Sequence, residues 1–485
     1  MRQNTADFDA FSFTEASTRL SRIPGWTLVV VEDTETPKNW SMEGVHYLSV
    51  EDQQRLGYRI LGYLPYKSYA RKNIGYLYAI RNGAEWIYDT NDDSRLYEQF
   101  DYSKETSGLR YGCKFGGQFK ISEECSQQKL FNPHSFFGNI DMWPRGFPAE
   151  YIQNHKNGPG RYCLCHKMRT AAVQHGLVHK GPNADALYRI PHSEKKGLDG
   201  SFNKFAPPIT LAPGTYAPWN YQNTLFHGRA FFTLILLATV GSRATDLWRS
   251  YFAQKLLHMV GETVAFYPAN AIQTRDFHYF DDIRSEENIY LKTVELVKLL
   301  DRWFCAYTTI ARCAIALAEE LRARKFWKEG DSILVRKWVE DLLDLSYEFP
   351  PMKNVNEHSM SPNESLRESN CRRAELEFAP ERSQSNEVDE KSSFKITAFG
   401  ELADWCEAAN YSGFLHKLPS PRQLYVAHNN DSVLTGLRNT ALIITYNYPM
   451  NQTIGVLQRI YQPYFGVTIF CGSWYPEKYD DNSGQ

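Results

Sequence analysis

The sequence predicts an α/β protein, followed by a helical segment and a small, partial α/β unit at its C-terminal end. Three observations predict it. Trp26–Glu32 is a continuous apolar, β-branched run; the order strand, strand, helix, helix, strand starts from it; and an acid cluster stands directly behind the last of these strands. Helical crossovers imply parallel pairing, and open sheets of this kind bind ligands beyond the carboxyl ends of their strands.

Trp26–Glu32 reads as a strand buried on both faces, closed by the turn Asp33-Thr34-Glu35-Thr36-Pro37. A second strand, Val45–Leu48, leads into a helix with Ser49 as cap and Asp52 three residues on. The rest of the chain is organised around the stretch Tyr69–Ser94. Its helix carries Arg71, Lys72 and Asn73 in the opening turn, where cationic side chains and free N–H groups suit an anion such as a diphosphate. After a turn at Asn82-Gly83, a strand over Glu85–Asp89 delivers Asp89, Asn91, Asp92 and Asp93. Oxygen ligands of that kind suit a hard divalent cation held against substrate phosphates, although adjacent aspartates also occur as solvated turns.

Residues 101–160 read as loops, within which Trp143 and Arg145 suit either a sugar or phosphate contact or a structural turn. Asp185 stands just before an expected short strand ending at Ile190. Leu211–Thr224, which contains Asn220, is too rich in Pro, Gly and Asn to be helical and suits a pocket wall. From Gly241 a helix is expected, on which Arg243, Asp246 and Arg249 share one face. They read either as a surface ion pair or as a site where Asp246 takes the proton of an attacking hydroxyl.

Two helices are expected over Glu286–Leu345, broken at Gly330 with Asp331 as cap. Residues 352–393 have the composition of a linker. Thr440–Tyr446, Gln452–Tyr461 and Val467–Cys471 then spell strand, helix, strand, a unit that cannot bury its own faces. It either docks on the first domain or is cut short at Gln485. The expected division is therefore 1–300, 301–350, 351–394 and 395–485.

With 23% charged and 42% apolar residues and a net charge of −2, neither a disordered chain nor a nucleic-acid partner is indicated. The N-terminus has no apolar core of a secretory signal, and the longest apolar run, Phe231–Val240, is half of the roughly 20 residues that span a bilayer, so a soluble chain is expected. Nine cysteines form no evident disulfide framework, and Cys163-Leu164-Cys165-His166 lacks a second ligand pair at a zinc spacing. Sequons at Asn39, Asn363, Asn410, Asn430 and Asn451 would permit glycosylation in a secretory lumen.

Four segments, RKNIGYLYAIRNGAEWIYDTNDD, NPHSFFGNIDMWPRGFP, LAPGTYAPWNYQNTLF and SRATDLWRSY, resemble in that order the STELLO-like family of Golgi glycosyltransferases. That family is similar to the reversibly glycosylated polypeptides, which act on nucleotide-sugars. The resemblance covers about residues 20–300 and weakly the C-terminal unit. It implies a GT-A (Rossmann-like) nucleotide-sugar-binding fold, a UDP-sugar donor, Mn²⁺ or Mg²⁺, a glycan or other hydroxyl acceptor, and association with other glycan-synthesis enzymes. It also implies a Golgi lumen location behind an N-terminal anchor; no anchor is visible in the sequence, which keeps a cytoplasmic alternative.

Carried over by position, the family's Asp-Asp-Asp metal motif falls on Asn91, Asp92 and Asp93, so the first acid is an amide that keeps a ligating oxygen and loses its charge. The family's Arg-x-x-Asp-Ile-Trp-Arg pattern falls on Arg243, Asp246, Leu247, Trp248 and Arg249. The expected site thus has Asp93 and Asn91, aided by Asp92, on the metal, with Arg71 and Lys72 gripping phosphates or uracil beside Asn73. Asp33 meets the uridine, and Asp92, Trp143, Arg145, Asp185 and Asn220 line the nucleotide-sugar pocket. Asp246, with Arg243 and Arg249, forms the catalytic group. Two rival readings are a non-catalytic scaffold for glycan-synthesis enzymes, motivated by Asn91 and the isolated C-terminal unit, and a nucleotide-sugar mutase.

Overall fold

The computed structural model describes residues 25–96, 118–121, 129–154, 162–165, 170–192, 202–353, 372–374, 441–446 and 467–472, with short internal breaks that include 91–93 and 274–278. The chain falls into two units, the first running through Asp389 apart from Gly112–Phe115, the second made of that short piece with Glu390–Gln485.

In the first unit, β1 (Leu28–Val31) pairs in parallel with β2 (Val45–Leu48) as a two-stranded sheet. All four residues of β1 are half-buried, so the strand expected to be covered on both faces is less enclosed than its composition implied. The cover on one side is α2 (Lys72–Arg81), whose Gly75 lies so close that an added Cβ would stand 2.9 Å from a Val31 methyl. Between them α1 (Val50–Arg55) starts as expected: Ser49 accepts from the Asp52 amide at 3.0 Å and donates to the Asp52 carboxylate at 2.7 Å.

The second sheet is mixed and nine-stranded. Its strands are β3 (Trp86–Thr90), β4 (Ser94–Leu96), β5 (Gln118–Ile121), β6 (Tyr162–Cys165), β7 (Val173–His179), β8 (Ile209–Thr210), β9 (Asn223–His227), β10 (Val264–Gln273) and β11 (Arg372–Ala374). They lie in the order β11-β6-β5-β8-β10-β7-β9-β3, with β4 on β10. Strands β7 and β10 are parallel, whereas β3 is an edge strand antiparallel to β9. The parallel placement that the helical crossovers predicted for β3 is therefore corrected. Its burial shows the physical reason: Ile87 and Asp89 point inward and alternate with half-buried neighbours, the pattern of a one-faced strand.

Three further expectations are corrected among the helices. The strand predicted behind Asp185 is a helix, α4 (Ala186–His192), because the Asp185 carboxylate accepts from the Tyr188 amide at 2.8 Å and so caps the first turn. It comes after α3, a single turn at Pro133–Phe136. The helix expected from Gly241 begins later, as α5 (Thr245–Val260), and is buried on nearly all sides. The two helices expected over 286–345 are three: α6 (Tyr279–Arg302), α7 (Ile310–Ala323) and α8 (Glu329–Asp344). A Cys305–Cys313 disulfide, unforeseen in the cysteine spacing, closes the break between the first two.

Asp331 is not a cap of its own helix. Fully buried, it accepts from the amides of Ala238 and Thr239 at 2.7 and 3.0 Å, while Asp341 does the same for Arg59 and Ile60 at 2.7 and 3.0 Å. These two acids fasten α8 to distant loops of the first unit. In the second unit, β12 (Ala441–Tyr446) and β13 (Val467–Gly472) pair in parallel, as a strand-helix-strand unit requires. The expected connecting helix, apart from its last residue Tyr461, which is helical, and the linker at 354–371 and 375–393 lie outside the described residues.

Candidate active site

Asp89, on the inner face of β3, is 3% exposed. The start of α2 supplies its first partner, since Lys72 Nζ lies 3.0 Å from Oδ1 and also donates to the Thr90 carbonyl at 2.8 Å. One turn later on the same helix face, Tyr76 donates to Oδ2 at 2.6 Å. The third partner comes from α5: Arg249 Nη2 stands 3.5 Å from Oδ2. Arg249 is 1% exposed; its Nη1 donates to the Leu234 carbonyl at 3.1 Å, its Nη2 has this ion pair with Asp89, and its Nε has no hydrogen-bond acceptor. A buried N–H group without an acceptor costs about 1–3 kcal/mol, so the persistence of this one calls for an explanation.

One turn before Arg249 on α5, Asp246 is 1% exposed and receives Arg145 Nη2 at 2.9 Å. Burial raises the Asp246 carboxyl above the usual carboxylate range, and the positive charges of Arg145, Arg249 and Arg243 only partly reverse it. Tyr221 joins the two acids: its phenol is pushed far up by burial and then by Asp246, Tyr69 and Asp89, and Lys72 Nζ lies 4.7 Å from its ring centre. Lys72 is partly exposed and Tyr69, 5.5 Å from Tyr221, is 53% exposed, so this cluster reaches solvent on that side.

Arg243 faces elsewhere. Its guanidinium pairs with Asp282 at 3.0 Å and with Glu286 at 2.5 Å, both on α6. Glu286 is fully buried and also accepts from the Ala186 amide at 2.9 Å and the Tyr290 hydroxyl at 2.6 Å. Beside it, Trp143 donates its indole N–H to Asp185 at 2.5 Å. The reading of Arg243, Asp246 and Arg249 as a surface ion pair is thereby corrected: all three are buried, and their partners come from other elements.

The other residues expected at the site are placed as local ties. Asp33 closes its own turn, accepting from Thr34 at 2.7 Å and from the Ser68 amide at 3.2 Å. Arg71, 5% exposed, bonds the Gln53 side chain and lies 4.3 Å over the Tyr66 ring. Asn73 is fully buried with both amide atoms spent on the Leu236 backbone at 2.8 Å, so it ties α2 to that loop instead of reaching a ligand. Asn220 is buried and bonded to Gln222 at 3.0 Å inside the predicted wall. Asn91, Asp92 and Asp93 lie outside the described residues.

Asp89 does not fit a metal, because Lys72, Tyr76 and Arg249 already occupy its oxygens. Among the described residues, no three His, Cys, Asp or Glu side chains gather as a metal-binding group. Sequence reasoning missed Tyr76, Tyr221 and Glu286. The first had a signal, its spacing of four from Lys72; the last had none, standing 100 residues from the amide it binds.

Residues 243–484 match the family model described as STELLO glycosyltransferases. The chain is 33% identical over 359 residues to "Probable glycosyltransferase STELLO1" and 30% identical over 358 residues to "Probable glycosyltransferase STELLO2", both of Arabidopsis thaliana. Each alignment covers 70% of this chain but only 44% and 45% of the relative, so the chain spans about half the length of the curated relatives it matches. The family model takes in Arg243, Asp246 and Arg249 and extends through the C-terminal strands.

Proposed function

On the premise that the chain is STELLO-like, we propose that its first unit transfers a sugar from a UDP-sugar donor to a hydroxyl acceptor with a divalent cation, Mn²⁺ or Mg²⁺. The observation that carries this reading is Arg249, a buried cation acting on both Asp89 and Asp246 whose Nε has no acceptor and whose Nη2 holds Asp89 at 3.5 Å. A donor diphosphate or a sugar hydroxyl would supply the acceptor that Nε lacks, and a water-poor setting strengthens such contacts.

Lys72 stands at the exposed edge for the diphosphate. Asp246, raised by burial, is suited to take the acceptor proton once a hydroxyl displaces water beside it. Arg145 orients that carboxylate. Asp92 and Asp93, with Asn91, would hold the cation, which when bound neutralises charge developing on the leaving diphosphate. The Cys305–Cys313 disulfide is consistent with an oxidising secretory compartment, as the Golgi lumen reading requires. Of the described residues, no helix is long and apolar enough to cross a membrane.

Calorimetric titration with UDP and UDP-sugars, with and without Mn²⁺, tests the reading. Asp93→Ala is expected to abolish the metal-dependent part of binding; binding indifferent to both metal and substitution would remove the site assignment.

A further inference from the structure

Single exposed aromatic side chains are ordinary on protein surfaces. Here three stand within seven residues: Tyr63, Tyr66 and Tyr69 are 45%, 45% and 53% exposed. Successive members are three residues apart and so at most about 10 Å along the chain. Between the last two, Lys67 adopts a left-handed φ of 54°, a conformation that costs a non-glycine residue and collects at ligand clamps.

Two of the rings are backed by groups of the candidate site. Arg71 lies 4.3 Å over the Tyr66 ring. Tyr69 leans on Tyr221 at 5.5 Å with 36° between the planes, and Tyr221 in turn feels Asp246 and Asp89. The row therefore starts in solvent and ends on Tyr221, the ring on which both acids act. Tyrosine offers a flat apolar face with a polar tip, which suits the C–H face of a sugar ring. A single nucleobase needs one such ring; three in a row suit a chain of rings.

We propose that Tyr63, Tyr66 and Tyr69 form the acceptor subsite, a stacking rim for successive sugars of a glycan chain whose terminal residue lies at Tyr69 with its hydroxyl toward Asp246. This rests on the glycosyltransferase reading above and adds the acceptor's class, an oligosaccharide of several residues.

The test titrates the full chain with β-1,4-linked glucose, xylose and mannose oligosaccharides of two and six residues, monitored by ligand-observed NMR, with UDP titrated in parallel. One series is expected to bind, its hexamer at least tenfold tighter than its dimer. Tyr63→Ala and Tyr66→Ala should each weaken the hexamer about tenfold, the Phe variants should keep it, and UDP affinity should not move. Absence of binding by every series, affinity independent of chain length, or unchanged Ala variants would overturn the rim. So would a Tyr69→Ala variant that loses UDP and keeps the hexamer, since the ring would then belong to the nucleobase. Failure of the wild-type protein to bind UDP would instead count against the donor reading, with the oligosaccharide titration still readable.

Discussion

Two clusters of buried charge differ in what satisfies their acids. Around Asp89 and Asp246 the partners are largely side-chain cations from separate elements, Lys72, Arg145 and Arg249, beside the Tyr76 hydroxyl on Asp89 and the adjacent Leu247 amide on Asp246, and the group reaches solvent past Lys72 and Tyr69. Around Glu286 and Asp185 the acids also take backbone amides, from Ala186 and Tyr188, and the Tyr290 and Trp143 donors. Two of these acids, Asp246 and Glu286, titrate in opposite directions. Burial raises Asp246, whereas in Glu286 the same burial is outweighed by Arg145 and Arg243, then by the Tyr290 and Ala186 bonds, which hold it below the usual range. Buried charge alone thus does not mark a reactive site. Asp246, raised by burial, is poised to take a proton, whereas Glu286, held low chiefly by Arg145 and Arg243, ties α6 into the fold.

The largest expected effect is structural. Glu286→Ala leaves Arg243 with fewer partners and the Ala186 amide without one, and should cost about 3–5 kcal/mol in urea unfolding; a loss near zero would erase the contrast. Asp246→Asn should lower UDP-sugar turnover about 10²–10⁴-fold while UDP affinity and melting temperature hold. Turnover equal to wild type would move Asp246 into the structural class with Glu286.

The smallest effect is a pH dependence. Burial lifts Asp185 from its ordinary 3.8 to about 6. Between those values the folded protein keeps a proton the unfolded chain has lost, so this carboxyl makes stability fall as pH rises from about 4 to about 6 and then level off. Two pH units amount to about 3 kcal/mol at most. Asp185→Asn should remove that slope, seen as the difference between wild-type and variant unfolding free energies across this range; parallel curves would show that Asp185 is satisfied in its charged form.

Local chemistry was legible in the chain. Ser49 and Asp52 announced their cap, the 72–81 helix and the strand after it stood where periodicity put them, and the parallel pair of C-terminal strands came from their order. The failures have one cause. The Asp185 carboxylate acts as a cap and so turns an apparent strand into a helix, Asp331 looks like a cap and serves a loop 92 residues away, and β3 finds an antiparallel neighbour 135 residues on.

Helix starts, turns and strand runs depend on residues within a turn or two of each other, and these the residues dictated on their own. That Arg145 meets Asp246 across 101 residues, that Arg249 lies against Asp89 with its Nε left without an acceptor, and that Arg243 turns away to α6 were decided only by packing. The reason is physical: periodicity tells which face a charge occupies, but its partner is whichever group the sheet order and helix docking bring to that face, and its titration depends on how much water they leave there.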